Sequence, residues 1–461
     1  MLVLDRGFLY FAKFVAGAIL LILASGAVFF GFDFNKARED VQRMRAEIEQ
    51  IAEKASKMST EAEQKLAETE RKLDEISKAA EEKSHAFQQR LQVFEASLSS
   101  TPAGGNGRSQ SYSLPEIAAL YEFPKSLTGA GKTIGIVELG GGYHQADMDR
   151  YFSRLHIPPP QIRVVSVDGA TNQPSSMGGF VNGQVEGDIE VIGALVPKAR
   201  INVYFAPNTA KGFFDAIIAA TRDHVSVLSI SWGSPESSWT SDGVASLNAA
   251  LKRAADAGIT VVVAAGDNGV TDGVTDGQRH VDFPASSPWV IAVGGTRLAS
   301  ADGKKISEAG WSDGIRSATG GGVSALVPLP EWQRDINVPK LRNGVRGRWL
   351  PDIAANAAPE TGYRLIVNGE DVVLGGTAMA TPLWASLITA LNEGLPKDIG
   401  YFNPRLYREI GPAGVLSGII SGNNGVASDP GYSAEPGWNA VAGWGTPRGG
   451  RLLEWLRAHP N

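Results

Sequence analysis

Short apolar runs rich in β-branched residues alternate with amphipathic helical runs between residues 133 and 295. Apolar strands separated by helices indicate a parallel sheet that is buried on both faces and joined by right-handed crossovers. We therefore predict an α/β domain with a doubly wound sheet. Its predicted strands are 133–139, 162–167, 200–205, 225–231, 259–265 and 289–295, and its predicted helices are 145–155, 185–195, 211–224 and 242–257.

Ligand sites in such sheets lie outside the carboxyl ends of the strands. The segments 137–142 and 264–267 follow two of these ends, so both are expected to line a cleft. A net charge of −6 argues against a nucleic-acid binder. The absence of cysteine excludes disulfides and thiolate metal sites, and none of the six histidines stands at metal-ligand spacing to another.

Residues 14–32 contain no charged side chain, and Lys13 and Asp33 bracket them. Because about 20 apolar residues span a bilayer as a helix, we predict a transmembrane helix here after a short tail, 1–13. A cleaved signal peptide, with its cleavage region at 24–27, is the alternative. Basic residues precede the span (Arg6 and Lys13) and follow it in larger number, so the positive-inside rule does not favour export of the C-terminal part.

Residues 35–99 contain neither glycine nor proline and carry apolar residues at spacings of three and four. This heptad seam, with two four-residue stutters, is typical of a coiled coil, and we predict a parallel homo-oligomer of two or three strands. A solvated single helix is the alternative. The segment 100–111 has the composition of a flexible linker, and a globular domain, 112–461, follows it.

A tight elbow follows the strand-like run 371–374 and precedes the helical run 383–391. It reads Gly375-Gly376-Thr377-Ala378-Met379-Ala380-Thr381-Pro382. Glycine permits the sharp turn, and proline is tolerated in the first turn of a helix. A serine at such an elbow would be a presented nucleophile, but the methyl group of Ala378 has no lone pair with which to attack a carbonyl.

Together with this elbow, several segments resemble the sedolisins, the serine-carboxyl peptidases, and especially their kumamolisin-like members. They are Ile136–Tyr143, Ser229-Ile230-Ser231-Trp232-Gly233, Ala264–Gly269, His280–Pro284 and Pro351-Asp352. The resemblance covers residues 112–461 and implies a subtilisin-like α/β fold. It also implies that Ser231, Trp232 and Gly233 contact substrate, although Trp232 could equally be a packing residue.

In the sedolisins, a serine at the elbow works with a glutamate and, four residues later on one helix, an aspartate. The matching positions here are Ala378, Gln184 and Asp188, so the nucleophile and the base are both replaced. An amide cannot accept the proton of a hydroxyl as a carboxylate does. The resemblance further assigns Glu138 to an outer carboxylate network and Asp267 to the oxyanion site. It also assigns Asp282 to a substrate pocket that favours basic groups.

The sedolisins also bind calcium near the C-terminus, through positions that match Gly418, Ile419 and Asn439. The two matching carboxylates are absent, so calcium is expected to be weak or absent, and no other cofactor is expected. Engineered inactivation would explain Ala378 and Gln184, but it would not naturally explain this third departure.

These features predict a membrane-anchored, oligomeric pseudopeptidase that binds a peptide or protein or acts as a scaffold. An active endopeptidase with an unconventional nucleophile and an acidic pH optimum is the first alternative, and a structural spacer is the second. The resemblance to the sedolisins implies an extracytoplasmic C-terminal domain on a single-pass membrane anchor.

Overall fold

The computed structural model describes residues 38–51, eight positions between 53 and 68, and residues 111–175, 179–336 and 346–460. The chain divides into two compact units, Met1–Ser97 and Leu98–Asn461. The predicted transmembrane helix 14–32, most of the predicted coiled coil 35–99, and the linker up to residue 110 lie outside the described residues.

The described part of the N-terminal unit is helical. Residues 38–51 form an α-helix. Met44, Ile48 and Ile51 are 55%, 49% and 67% exposed, and their spacing places them on one side of that helix. Association through this apolar stripe stays a prediction. Of the helices in the described part of the chain, none has both the length and the apolar character that crossing a bilayer requires.

The globular unit is built around a parallel sheet. Its described strands are β1 (Thr133–Glu138), β2 (Gln161–Ser166), β3 (Arg200–Phe205), β4 (Val227–Ile230), β5 (Ser234–Pro235), β6 (Thr260–Ala264), β7 (Asp282–Phe283), β8 (Ile291–Ala301), β9 (Lys304–Gly310), β10 (Gly322–Pro328), β11 (Gly347–Leu350), β12 (Ile353–Asn356), β13 (Tyr363–Val367) and β14 (Glu370–Leu374). The sheet has the order β12-β8-β6-β4-β1-β3-β2, and all pairs along this path are parallel. Strand β9 extends it antiparallel to β8. The predicted doubly wound α/β architecture is confirmed.

Two helical layers cover the sheet. The helices of the globular unit are α1 (Leu114–Leu120), α2 (Gln145–Arg154), α3 (Gly179–Leu195), α4 (Ala210–Arg222), α5 (Ser241–Asp256), α6 (Thr377–Glu393) and α7 (Gly449–Ala458), with a helical turn at Asn403–Arg405 that continues as a π-helical turn, Leu406–Ile410. Helices α3 and α6 share one apolar core, while α4 and α5 share the other. Ile134 and Ile136 of β1 lie in the first core, and Val137 lies in the second. This alternation is what a strand buried on both faces produces.

The prediction of burial on both faces is wrong for β2. None of its six side chains is buried, and Val164 is 37% exposed. The reason is topological, because β2 is an edge strand, and among the described strands its one partner is β3. An apolar run identifies a strand without specifying its position in the sheet.

Helix α6 begins at Thr377, six residues before the predicted helical run at 383. Pro382 therefore lies inside the helix, whereas the sequence had suggested that it lies in the first turn. A proline has no N–H, so the carbonyl four residues earlier, that of Ala378, lacks its helical donor. Gly376, with a φ of 98°, makes the sharp entry into the helix, in a region that L-residues rarely adopt.

A buried ion pair joins β11 to the loop before β12. The guanidinium of Arg348 donates to Asp352 over 2.7 Å, and neither side chain is exposed to solvent. Asp352 also accepts bonds from the Tyr407 hydroxyl (2.6 Å) and the Ala292 main-chain N–H (2.7 Å). Burial raises the pKa of Asp352, and the charge of Arg348 opposes that rise.

A second buried carboxyl lies on the side of α3 that faces β13. Glu190 accepts the main-chain N–H of Ile366 at 3.0 Å, while its other oxygen has no hydrogen-bond partner among the described residues. Burial is the main cause that raises the pKa of Glu190 to about 10. Because the pKa of Glu190 is higher in the folded state than in the unfolded state, where it is near 4.5, the protonated carboxyl favours folding. This contribution to stability is fully present below pH 4.5 and is lost as the pH rises towards 10.

We expect Glu190→Gln to increase the free energy of unfolding at pH 8 relative to the unmodified chain, and to do so less or not at all at pH 4.5. The amide keeps an acceptor for Ile366 but has no proton equilibrium that opposes folding. Urea unfolding at the two pH values measures the difference. The exposed Glu454→Gln serves as the control and should have the same small effect at both. An equal loss of stability for Glu190→Gln at both pH values would contradict this assignment.

Candidate active site

Helix α3 carries the pair that the helical spacing predicted to share one face. Gln184 donates its amide Nε2 to Oδ1 of Asp188 over 2.8 Å, and both side chains are buried. Burial raises the pKa of Asp188 well above its usual range, and hydrogen bonds from Ser231 and Gln184 oppose this rise. In this contact the Gln184 amide donates a hydrogen bond to the acid, and an amide cannot act as a base as a carboxylate would.

Ser231 joins this pair to the elbow of α6. Its hydroxyl lies 3.0 Å from Oδ2 and 3.2 Å from Oδ1 of Asp188. The same hydroxyl lies 3.1 Å from the carbonyl oxygen of Ala378. That carbonyl is the one deprived of its helical donor by Pro382. The geometry thus brings Gln184, Asp188, Ser231 and Ala378 together, and the half-buried methyl group of Ala378 lies at the elbow.

Glu138 extends the acidic network from the carboxyl end of β1. Its Oε2 accepts the indole N–H of Trp232 at 2.9 Å, which gives Trp232 a polar contact beyond packing. The other oxygen, Oε1, is buried without a partner among the described residues. Burial and the nearby charge of Asp188 raise the pKa of Glu138 well above its usual range. Two carboxyl groups with raised pKa values, one at the end of β1 and one on α3, therefore lie next to each other.

Asp267, in the loop after β6, contacts the first residue of α6. It accepts both the main-chain N–H of Thr377 (2.7 Å) and its hydroxyl (2.8 Å) through Oδ1. A Cβ on Gly376 would come within 2.6 Å of Oδ2, so glycine leaves room for this carboxyl. Burial raises the pKa of Asp267, while the two bonds from Thr377 oppose the rise. The sequence indicated Asp267 but gave no sign that Thr377 is its partner.

Asp282 lies in β7, where it pairs with Pro235 of β5, and its side chain lies against Gly233. A Cβ on Gly233 would lie 1.9 Å from Oδ1 of Asp282, so only glycine admits this carboxyl. That oxygen is buried and has no hydrogen-bond partner among the described residues. Burial, followed by the charges of Asp272, Asp267 and Glu236, raises the pKa of Asp282 well above its usual range. Sequence analysis identified neither Glu236 nor Asp272 as a neighbour of Asp282.

The loops that match the calcium positions of the sedolisins are joined by an amide. Asn439 donates its side-chain N–H groups to the carbonyl oxygens of Ile419 (3.0 Å) and Glu435 (2.9 Å). Its Oδ1 accepts the main-chain N–H groups of Val441 and Ala442, which fixes the orientation of the amide. The exposed Gly418 has no side chain to offer. These residues do not fit a calcium ion, because the two carbonyls already accept bonds and no carboxylate is present at 418 or 439.

Comparison with known proteins establishes the family. Residues 175–410 match the model of Peptidase_S8, the subtilase family. The chain belongs to this family. It is 49% identical over 323 residues to kumamolisin of Bacillus sp. (strain MN-32), covering 69% of this chain and 58% of that protein. It is 30% identical over 358 residues to sedolisin of Pseudomonas sp. (strain 101), covering 72% of this chain and 58% of that protein.

A solved structure also matches this subtilase-family chain. A Pseudomonas sedolisin, a serine-carboxyl proteinase in complex with two molecules of pseudo-iodotyrostatin, is 28% identical with a TM-score of 0.69. The match covers 77% of this chain and all of that one. These similarities confirm a kumamolisin-like, sedolisin-type domain with a subtilisin-like α/β fold. The chain spans 58% of the length of each of the two curated relatives.

Proposed function

We propose that this chain is a pseudopeptidase whose sedolisin-type cleft binds a peptide or protein without cleaving it. The observation that carries the proposal is the contact between Gln184 and Asp188 beside Ala378. At the elbow there is a methyl group where a nucleophile would be needed, and the amide that faces the acid donates a hydrogen bond to it. In triad peptidases, removal of the nucleophile alone lowers kcat by about 10⁶-fold.

The retained acids support binding as the remaining role of the cleft. Asp282 presents a buried oxygen without a partner among the described residues, and its neighbours Asp267 and Glu236 are also acidic. A lysine or arginine side chain that reaches Asp282 would supply the missing donor and favour the ionised carboxylate. Because the pKa of Asp282 is raised in the free protein, such binding releases a proton. Affinity for a basic peptide should therefore rise as the pH rises.

Binding of peptides by the full chain tests this role. We expect a fluorescent peptide with a central arginine to bind more tightly than the same peptide with norleucine, by at least about tenfold, and more tightly at pH 7 than at pH 5. Asp282→Asn should remove the difference between the peptides, whereas the exposed Asp242→Asn should leave it intact. Fluorescence anisotropy measures the affinities. Equal binding of the two peptides, or no binding of either, would contradict the proposal and favour a purely structural domain.

The N-terminal part suggests where the domain acts. We propose that the apolar run 14–32 anchors the chain in a membrane as a single pass, with the globular domain extracytoplasmic. The heptad pattern of 35–99, together with the exposed Met44, Ile48 and Ile51, supports self-association of this segment as a coiled coil. Oligomerisation would present several clefts on one membrane surface and raise avidity for a partner with repeated ligands.

An active peptidase with an unconventional nucleophile is the second candidate. It is favoured by the hydroxyl of Ser231, which lies within 3.0 Å of a carboxylate oxygen of Asp188. Nucleophiles of this class are activated by an adjacent base. However, the raised pKa of Asp188 favours the protonated acid, and the same hydroxyl is within bonding distance of the Ala378 carbonyl. We therefore place this candidate second.

A further inference from the structure

A cluster of metal-ligating side chains lies on the side of α3 that does not carry Gln184 and Asp188. Its members are His144, Asp147 and Glu186. His144 is the N-cap residue of α2, Asp147 is in the first turn of that helix, and Glu186 comes from α3. Each offers one ligand atom, and these three atoms all lie within 4.8 Å of one another. Local sequence spacing did not reveal the cluster, because Glu186 is remote from the other two residues in the chain.

The distances within the cluster match those around a small divalent ion. Nδ1 of His144 lies 3.0 Å from Oε1 of Glu186 and 3.7 Å from Oδ2 of Asp147. Ligands about 2.0–2.1 Å from a tetrahedral zinc ion are roughly 3.3–3.4 Å apart. The two distances from Nδ1 of His144 are one shorter and one longer than this ligand–ligand distance. Shifts of a few tenths of an ångström would bring these two distances to the value expected around zinc, and the two carboxylate ligand atoms lie within 4.8 Å of each other.

The surroundings hold the two carboxylates in place without using all their lone pairs. Glu186 accepts the main-chain N–H groups of His144 (2.9 Å) and Asn368 (3.1 Å), and Asp147 accepts that of Gly369 (2.9 Å). Both acids are buried, whereas the His144 side chain is 40% exposed. Burial raises the pKa of Glu186, and the charge of Asp147 adds to that rise. A cation would relieve this repulsion, and the exposed imidazole provides an entry path.

We propose that His144, Asp147 and Glu186 form a binding site for a divalent transition-metal ion of the zinc type. An imidazole with two carboxylates suits zinc, whereas calcium and magnesium prefer oxygen ligands alone. The ion takes the place of the proton between Nδ1 of His144 and Oε1 of Glu186. The fourth position faces solvent beside the imidazole. Because Asn368 and Gly369 form the turn between β13 and β14, the ion ties this turn to α2 and α3.

Cobalt and zinc binding to the full chain tests the site. After treatment with a chelator, the chain should bind one equivalent of Co²⁺ with the visible absorption of a tetrahedral complex, and Zn²⁺ should displace it. Zinc should raise the melting temperature, while magnesium should not. Because a protonated imidazole is not a ligand, the zinc affinity should fall as the medium becomes more acidic.

Two variants distinguish this site from adventitious binding. His144→Ala removes a half-exposed side chain, and it should lower zinc affinity by more than the roughly 10- to 100-fold that loss of an outer-shell partner costs. His459→Ala, at the exposed C-terminal end of α7, should bind as the unmodified chain does. Absence of a stoichiometric cobalt complex would overturn the proposal, and so would unchanged zinc affinity in His144→Ala. Since neither readout involves peptides, failure here leaves the proposed function untouched.

Discussion

Replacing Arg348 with methionine is expected to lower the free energy of unfolding of the globular domain by about 3–5 kcal/mol, since it leaves one partner of a buried ion pair uncompensated. Arg348 and Asp352 are both fully buried, and the guanidinium also donates to the carbonyl of Val290 at 3.0 Å. Asp352 would keep its bonds from Tyr407 and Ala292 but lose its only arginine contact among the described residues. Urea unfolding measures the loss.

The exposed pair Arg448–Glu122 provides the matched control for this prediction. Its two atoms lie 3.4 Å apart, and the side chains are 39% and 48% exposed. Exposed pairs contribute about 0–1 kcal/mol, so Arg448→Met should have little effect. The double variant Arg348→Met/Asp352→Asn should be less unstable than Arg348→Met, because it removes the uncompensated acid as well. Equal small losses for the two single arginine variants would contradict the account of the buried pair.

We expect Asn439→Asp to convert the C-terminal loops into a calcium-dependent structure. The substitution removes two N–H donors, one from the carbonyl of the buried Ile419 and one from that of the exposed Glu435, and places a carboxylate against both. An unsatisfied buried group costs about 1–3 kcal/mol, so losing the donor to Ile419 should cost the variant about that much stability in EDTA. Calcium should restore much of this loss, because a carboxylate and two carbonyls are oxygen ligands that suit the ion.

The unmodified chain should show no such dependence, because the amide of Asn439 already occupies both carbonyls. Thermal unfolding in EDTA and in millimolar calcium measures the difference. Asn172→Asp is the matched control, because Asn172 also bonds a main-chain carbonyl and N–H, those of Tyr143, but in a partly exposed loop. It should be insensitive to calcium. A rise of many degrees in the melting temperature of the unmodified, chelator-treated chain on adding calcium alone would contradict this account.

The architecture of the sheet was predictable because its signal is local and repeated. Strands such as 133–139 and 259–265 are apolar throughout, and helices separate them, which favours one parallel arrangement. The position of β2 at an edge was not predictable from its apolar run. The start of α6 was predicted six residues too late, since the glycines suggested a turn and Pro382 was expected in the first turn of the helix. Tertiary contacts of Thr377 and Ala378 extend the helix through this segment.

Residues of the candidate active site could be predicted only where they belong to a recognisable sequence motif. The resemblance to the sedolisins singled out Gln184 and Asp188, and their spacing of four predicted the shared helical face on which the structure places them. The contacts that define their chemistry come from distant parts of the chain. Ser231 reaches Asp188 from the loop after β4, and Thr377 reaches Asp267 from α6. Local patterns contain no information on such pairs, which explains why the partners of Asp282 and the His144 cluster were also missed.

The central claim is that the cleft is intact but lacks its nucleophile and base. Its most direct test is peptidase activity at several acidic pH values, measured on the unmodified chain beside Ala378→Ser/Gln184→Glu. The account predicts cleavage by the double variant alone, with an acidic optimum, since the raised pKa values of Glu138 and Asp188 keep the adjoining carboxyl network protonated there. Ala378→Ser without the second change should be far less active. If the double variant showed no peptidase activity, an intact cleft would be contradicted. If the unmodified chain cleaved peptides and Ser231→Ala abolished that cleavage, the loss of catalysis would be contradicted.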